Sequence, residues 1–134
     1  MGLLDTKYNE YLYIIFRVGI GTLFFLYGIQ KIFGVWGMPG GPAQFGTLVW
    51  YAGAGELLIG LGLILGVLTR FASLCGVIEM IVAYVIGHVS VGGWNPAVNK
   101  GAPALLFMLA FLVTLAYGAK KWSLEQGVLG RELF

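Results

Sequence analysis

The sequence has 134 residues, 59% of them hydrophobic and only 10% charged, with a mean hydropathy of +0.88. A soluble domain of this size carries roughly 25% charged residues to cover its surface, so the composition excludes a largely water-facing exterior and points to lipid as the solvent. The net charge of +2, carried by scattered basic residues, excludes a nucleic-acid-binding face, and the single cysteine, Cys75, excludes a disulfide framework, a CxxC site or iron–sulfur ligation by this chain alone.

A bilayer core is crossed by about 20 mainly apolar residues of helix, and four such runs are predicted. The first, residues 11–33, contains IIFRVGIGTLFFLYGIQKIF and is too long for the apolar core of a cleaved signal. Arg17, Gly21, Phe24, Gly28 and Lys31 share one of its faces by 4-3-4-3 spacing. GVWGMPGGPAQFG, residues 34–46, is too rich in Gly and Pro to stay helical. The second run, 47–68, places Glu56 with Gly60 and Gly62 with Gly66 at four-residue spacing. Thr69-Arg70 reads as a tight turn, making the second and third helices an antiparallel hairpin. The third run, 71–89, lines up Gly76, Glu79, Ala83 and Gly87. SVGGWNPAVNKG reads as a loop, and the fourth helix covers 103–118. The mixed tail 119–134 suits the membrane interface or a partner.

The expected fold is therefore all-α: one domain, a four-helix transmembrane bundle. Lys7, Arg70, Lys120, Lys121 and Arg131 lie on one side of it, and Lys31 and Lys100 on the other. That excess of Lys and Arg predicts a multi-pass cell-membrane protein with both termini in the cytoplasm. Trp36, Trp50, Trp94 and Trp122 fall at the boundaries, as an aromatic belt requires. The glycine-bearing faces point inward, because small residues let membrane helices approach closely.

An ionisable residue inside a membrane helix costs at least ~2.5–3.5 kcal/mol and reads as paired and functional. At 1.5 Å per residue, Arg17, Glu56 and Glu79 stand about 9, 15 and 14 Å from the same edge. They are expected to meet in one cluster and to be the catalytic residues. One guanidinium between two carboxylates leaves a negative charge, so one carboxyl is expected to hold or share a proton. The competing reading is a buried network that only fixes helix register. Lys31, His88, Asn95, Asn99 and Lys100 form a second polar group near the opposite face. Of these, Lys31 and His88 are candidate cofactor-binding residues. His88 is the only histidine, which excludes a bis-histidine haem within the chain; it is expected to hydrogen-bond rather than ligate, and no metal site is expected. Lys31 and Lys100 also suit snorkelling to headgroups. Gly19-x-Gly21, Gly53-x-Gly55 and Gly60-x-Gly62 do not complete a nucleotide fingerprint.

The stretches RVGIGTLFFLYGIQKIFG (17–34), GAGELLIGLGLILGVLTRFASL (53–74) and NKGAPALLFMLAFLVTLAYGAKKWSLE (99–125) resemble the DoxX/DoxD family of membrane proteins. The ordered set Arg17, Gly28, Lys31, Glu56, Gly60, Thr69-Arg70 and Trp122-Ser123-Leu124 carries the resemblance. It implies a four-helix subunit tied to redox chemistry, of the thiosulfate:quinone oxidoreductase type, with quinone as a cofactor and no group bound covalently. The chain departs from the family at Gly101-Ala102-Pro103-Ala104-Leu105-Leu106, where relatives commonly carry a glutamate in place of Ala102, and at Gly118-Ala119-Lys120-Lys121. Two functions stay open. One is a quinone-reactive or proton-relaying subunit. The other is a non-catalytic accessory or scaffold subunit, and whether the chain is itself an enzyme stays open with them. The expected partners are the lipid bilayer and other membrane-complex subunits or further copies of the chain, without nucleic acid. A small transporter is disfavoured because no inverted repeat is visible.

Overall fold

Helix α1 spans Thr6–Phe33 in the computed structural model, which describes residues 6–133. It begins before the apolar run because hydropathy does not decide where a helix starts, and nothing between Lys7 and Glu10 breaks one. It stops at Gly34, whose positive φ of 68° turns the chain back so that the Ala43 N–H reaches the Lys31 carbonyl at 2.8 Å. Helix α2, Leu48–Leu65, starts at Thr47, whose Oγ1 accepts from the Trp50 N–H at 3.3 Å.

Gly66 ends α2 in the left-handed region with φ 68°, and the Val67 N–H closes onto the Gly62 carbonyl at 2.9 Å. The turn therefore lies at 66–68, before the Thr69-Arg70 pair where it was expected. Both of those residues belong to the first turn of α3, Thr69–Val82. This helix continues without a break through a π-helical stretch, Ala83–Val89, into Ser90–Gly92. The connection read as loop also contains a short helix, Pro96–Asn99, capped by Asn95 Oδ1 accepting from the Ala97 N–H at 3.0 Å. Helix α4 covers Ala102–Tyr117 and α5 covers Leu124–Leu129. Among the described residues the regular structure is all helical, with no strand. Three helical stretches, Lys7–Phe33, Leu48–Leu65 and Thr69–Gly92, are long and apolar enough to cross a membrane; α4 is equally apolar but shorter.

Helices α1 and α2 pack backbone to backbone. A Cβ on Gly28 would stand 2.8 Å from the Gly53 carbonyl oxygen, and one on Gly60 would stand 2.7 Å from the Gly21 carbonyl oxygen. Helix α3 meets α4 at Gly76, which leaves room for the Phe111 ring, and at a buried Ser73 Oγ–Thr114 Oγ1 hydrogen bond of 2.6 Å. Phe24, Leu63 and Phe111 fill the centre. The segment after α4 folds back over one end of the bundle. There Lys121 pairs with Glu10 at 2.6 Å, Tyr13 donates to the Gly118 carbonyl at 2.5 Å, and Glu125 accepts from the Leu68 N–H at 2.6 Å. Both ends of the described chain thus lie at the same end of the bundle.

Candidate functional site

The structure separates Arg17 from the glutamates it was expected to join. Its guanidinium is fully buried and donates to three backbone carbonyls of the returning segment: Nη1 to Ala119 and, at 3.3 Å, to Lys121, and Nη2 to Trp122 at 2.9 Å. Nη1 also stands 3.3 Å from where a Cβ on Gly66 would be. Gly66 is ten residues beyond Glu56, about 15 Å along α2. The cause is side-chain direction. Cα–Cβ bonds tilt toward the helix N-terminus, so Arg17, early in α1, reaches back to the end where α1 begins.

The same rule brings Lys31 to Glu56. Near the C-terminus of α1, the Lys31 side chain points back into the bundle. Helix α2 runs the other way, so Glu56 leans toward it. Lys31 Nζ meets Glu56 Oε1 at 2.5 Å, with the carboxylate side chain 5% exposed. The ammonium also stands 5.5 Å from the centre of the Tyr27 ring. Glu56 Oε2 and Glu79 Oε1 are buried without a hydrogen-bond partner among the described residues. Glu79 Oε2 lies 2.6 Å from where a Cβ on Gly55 would be, so the glycine leaves room for the carboxyl in this position between α2 and α3. The cation of the cluster is Lys31, not Arg17.

Two cavities flank the pair. One, of about 240 Å³, is walled by Phe24, Tyr27 and Phe107 and by Lys31, Glu56 and His88. The other, of about 510 Å³, runs from Glu79 past Lys31 and His88 to Leu48 and Tyr51. Lys31 and His88 border both. The π-helical stretch delivers His88 there: in an α-helix a residue five positions after Ala83 would stand about 140° around the axis, and the wider turn of i→i+5 bonding brings it closer to the Ala83 side. His88 Nδ1 lies 3.0 Å from the Asn99 carbonyl oxygen. A carbonyl only accepts, so Nδ1 carries the hydrogen and Nε2 is the acceptor of the neutral ring. Asn99 is held in turn. Its Nδ2 donates to Tyr84 Oη at 3.2 Å and to the Gly93 carbonyl at 2.8 Å, and its Oδ1 accepts from the Gly101 N–H at 2.8 Å. Among the described residues no group of three or more His, Cys, Asp or Glu stands ready for a metal ion.

Sequence spacing thus identified Glu56, Glu79, Lys31 and His88 as noteworthy but divided them between two groups. Tyr84 was missed, because an isolated tyrosine in an apolar run gives no signal of the asparagine that it holds. Ala102 opens α4 between Lys100 and Pro103, both on the wall of the smaller cavity. The acid that relatives are expected to carry there would stand at its rim.

No solved structure matches the chain. An uncharacterized protein of Haemophilus influenzae is 34% identical over 124 residues, which cover 89% of this chain and 92% of that protein. The DoxX family model matches residues 12–89, a stretch that contains Lys31, Glu56, Glu79 and His88. The chain belongs to the DoxX family of membrane proteins.

Proposed function

We propose that this protein crosses the cell membrane four times with both ends in the cytoplasm, and that it is a subunit of a quinone-linked oxidoreductase of the thiosulfate:quinone type or a related one. The observation that carries the reading is the smaller cavity. Its walls bring aromatic rings together with Glu56, whose Oε2 is buried without a partner among the described residues, and with the Lys31 ammonium group. Tyr27 and Phe107 line it beside the buried Phe24, aromatic surroundings suited to a planar ring, and its volume is about 240 Å³. Glu56 and Lys31 are placed to hold or donate a proton at a ring oxygen, and His88 Nε2 to accept one. A bound quinone would supply acceptance of electrons and protons; the electrons reach it from a partner subunit or from the substrate. In this reading α4, 16 residues long and so about 24 Å, crosses together with its flanking turns.

The measurement is binding of a short-chain quinone to the purified protein, followed by titration calorimetry. Glu56→Gln is expected to weaken it at least tenfold, or about 1.4 kcal/mol. Unchanged affinity would remove the support for the reading. The alternative is a non-catalytic accessory or scaffold subunit, and Ala102 favours it, because the family resemblance leads one to expect an acid there and the residue is apolar here. The accessory reading expects a stoichiometric partner to co-purify from native membranes regardless of Glu56→Gln.

A further inference from the structure

Glu56, Glu79, Lys31 and His88 lie in one half of the bundle, away from the buried Arg17, and two grooves meet at a single carboxyl. One groove, about 510 Å³, runs from Glu79 between α2 and α3 to Leu68 and Phe71, and Glu79 is its only charged wall residue. The other, about 510 Å³, leads from Glu79 the opposite way to Lys31 and His88. Glu79 alone borders both. From there to the 93–101 connection the path is polar: Lys31 and Tyr27 from α1, Glu56 from α2, Tyr84 and His88 from the third helix, then Lys100. Helix α4 adds only apolar side chains to the walls. Toward the other end, Phe24, Leu63 and Phe111 are at most 1% exposed, Ser73 and Thr114 are bonded to each other, and the buried Arg17 charge lies beyond them.

We propose that Glu79, Glu56, Lys31 and His88 form a proton-exchange path open only to the membrane face of the 93–101 connection, with Glu79 as its innermost stop. It rests on the reading of this site as one that handles protons, and it adds the side from which they come. Two carboxyls and one ammonium leave a net negative charge in the bilayer, which one bound proton removes. The proton leaves a Glu79 oxygen as one O–H bond breaks and passes through water, each molecule occupying about 30 Å³, in the larger cavity that Glu79 shares with Lys31 and His88. It reaches His88 Nε2 as an N–H bond forms, with Glu56 on the smaller cavity that His88 also borders as a second proton store, and the imidazolium releases it to water at the 93–101 face. No electron moves in these steps. The groove toward Leu68 offers no polar stop, so a proton does not leave that way.

Dicyclohexylcarbodiimide tests this without any quinone, so failure here is distinct from failure of the quinone reading. The reagent is lipid-soluble and takes protonated carboxyls: the acid proton goes to its nitrogen, the oxygen bonds to its central carbon, and rearrangement leaves a stable acylurea. The full-length protein with a C-terminal tag is labelled in spheroplasts and in everted vesicles at a series of medium pH values. Mass spectrometry reads the adduct on Glu79. In the preparation that conceals the tag, labelling is expected to fall as the medium pH rises, by about tenfold per unit above its midpoint. In the preparation that exposes the tag it should stay flat. Glu79→Gln should abolish the adduct, and His88→Gln, which keeps a donor for the Asn99 carbonyl but carries no proton, should flatten the response in both. Labelling that follows pH on the tagged face or on both faces, no label at any pH, or a wild-type response in His88→Gln overturns the proposal.

Discussion

Arg17 shows what a buried cation does when no acid pairs with it directly. Three backbone carbonyls accept from its two terminal nitrogens, and through them it anchors the returning segment. Hydrogen bonds to a charged group are worth about 1.5–3 kcal/mol each, so Arg17→Leu is expected to release that segment. Trypsin should then cut after Lys120 and Lys121 several-fold faster than in the parent, while the quinone-binding measurement stays unchanged. Arg17→Lys should rescue little, because a single ammonium does not reproduce the planar fork. The Lys31–Glu56 pair behaves differently. Lys31→Met strands a buried carboxylate and should lower stability by at most about 3 kcal/mol, since a stranded carboxyl takes up a proton rather than staying charged. The double change Lys31→Met with Glu56→Gln should recover most of that loss, read as the thermal midpoint in detergent.

At the scale of elements, the contact between α1 and α2 depends on a few glycines and not on others that look the same in sequence. A side chain on Gly28 meets backbone atoms of Gly53 and Leu57 at 2.8 Å, whereas nothing lies within 4 Å of a Cβ on Gly19. Backbone cannot move aside as a flexible side chain does. Gly28→Leu is therefore expected to cost about 1–3 kcal/mol by overpacking and to separate the two helices. Gly19→Ala should be neutral or stabilising by up to about 1 kcal/mol. Thermal unfolding of the two variants side by side decides the matter. The inward glycine face of α1 and the Gly60 and Gly76 contacts were legible from four-residue spacing. Gly87 was assigned to the same face as Gly76, yet nothing lies within 4 Å of it. The π-helical stretch changed the phase of the helix there, and no residue between Ala83 and Val89 announces such a stretch.

For the whole molecule, the packing puts both ends of the described chain at one end of the bundle, and the proposed orientation rests on the charge bias. Lys31 is turned inward to Glu56, which leaves Lys100 as the one basic residue of its end that does not serve a buried carboxylate. Lys121 and Glu10, by contrast, tie the two ends of the chain together at the opposite end. In the proposed topology, a Cys75→Ser background with Asn95→Cys should react with a membrane-impermeant maleimide added to intact cells. A cysteine replacing Lys120 should react only after the membrane is opened. Reaction at both positions from outside would refute four crossings with cytoplasmic ends.

Hydropathy determined the helical class, the membrane setting and the approximate helix limits by itself, because each run needs only its own composition to favour lipid. The residues worth examining were equally visible, since a charge within an apolar run stands out wherever it points. Their partners were not. Depth along the helix axis put Arg17, Glu56 and Glu79 at similar levels, but the direction of each side chain, set by the polarity of its helix, sent Arg17 to the returning segment and Lys31 to Glu56. Only packing decided that pairing, because it depends on which helices lie side by side and in which sense they run.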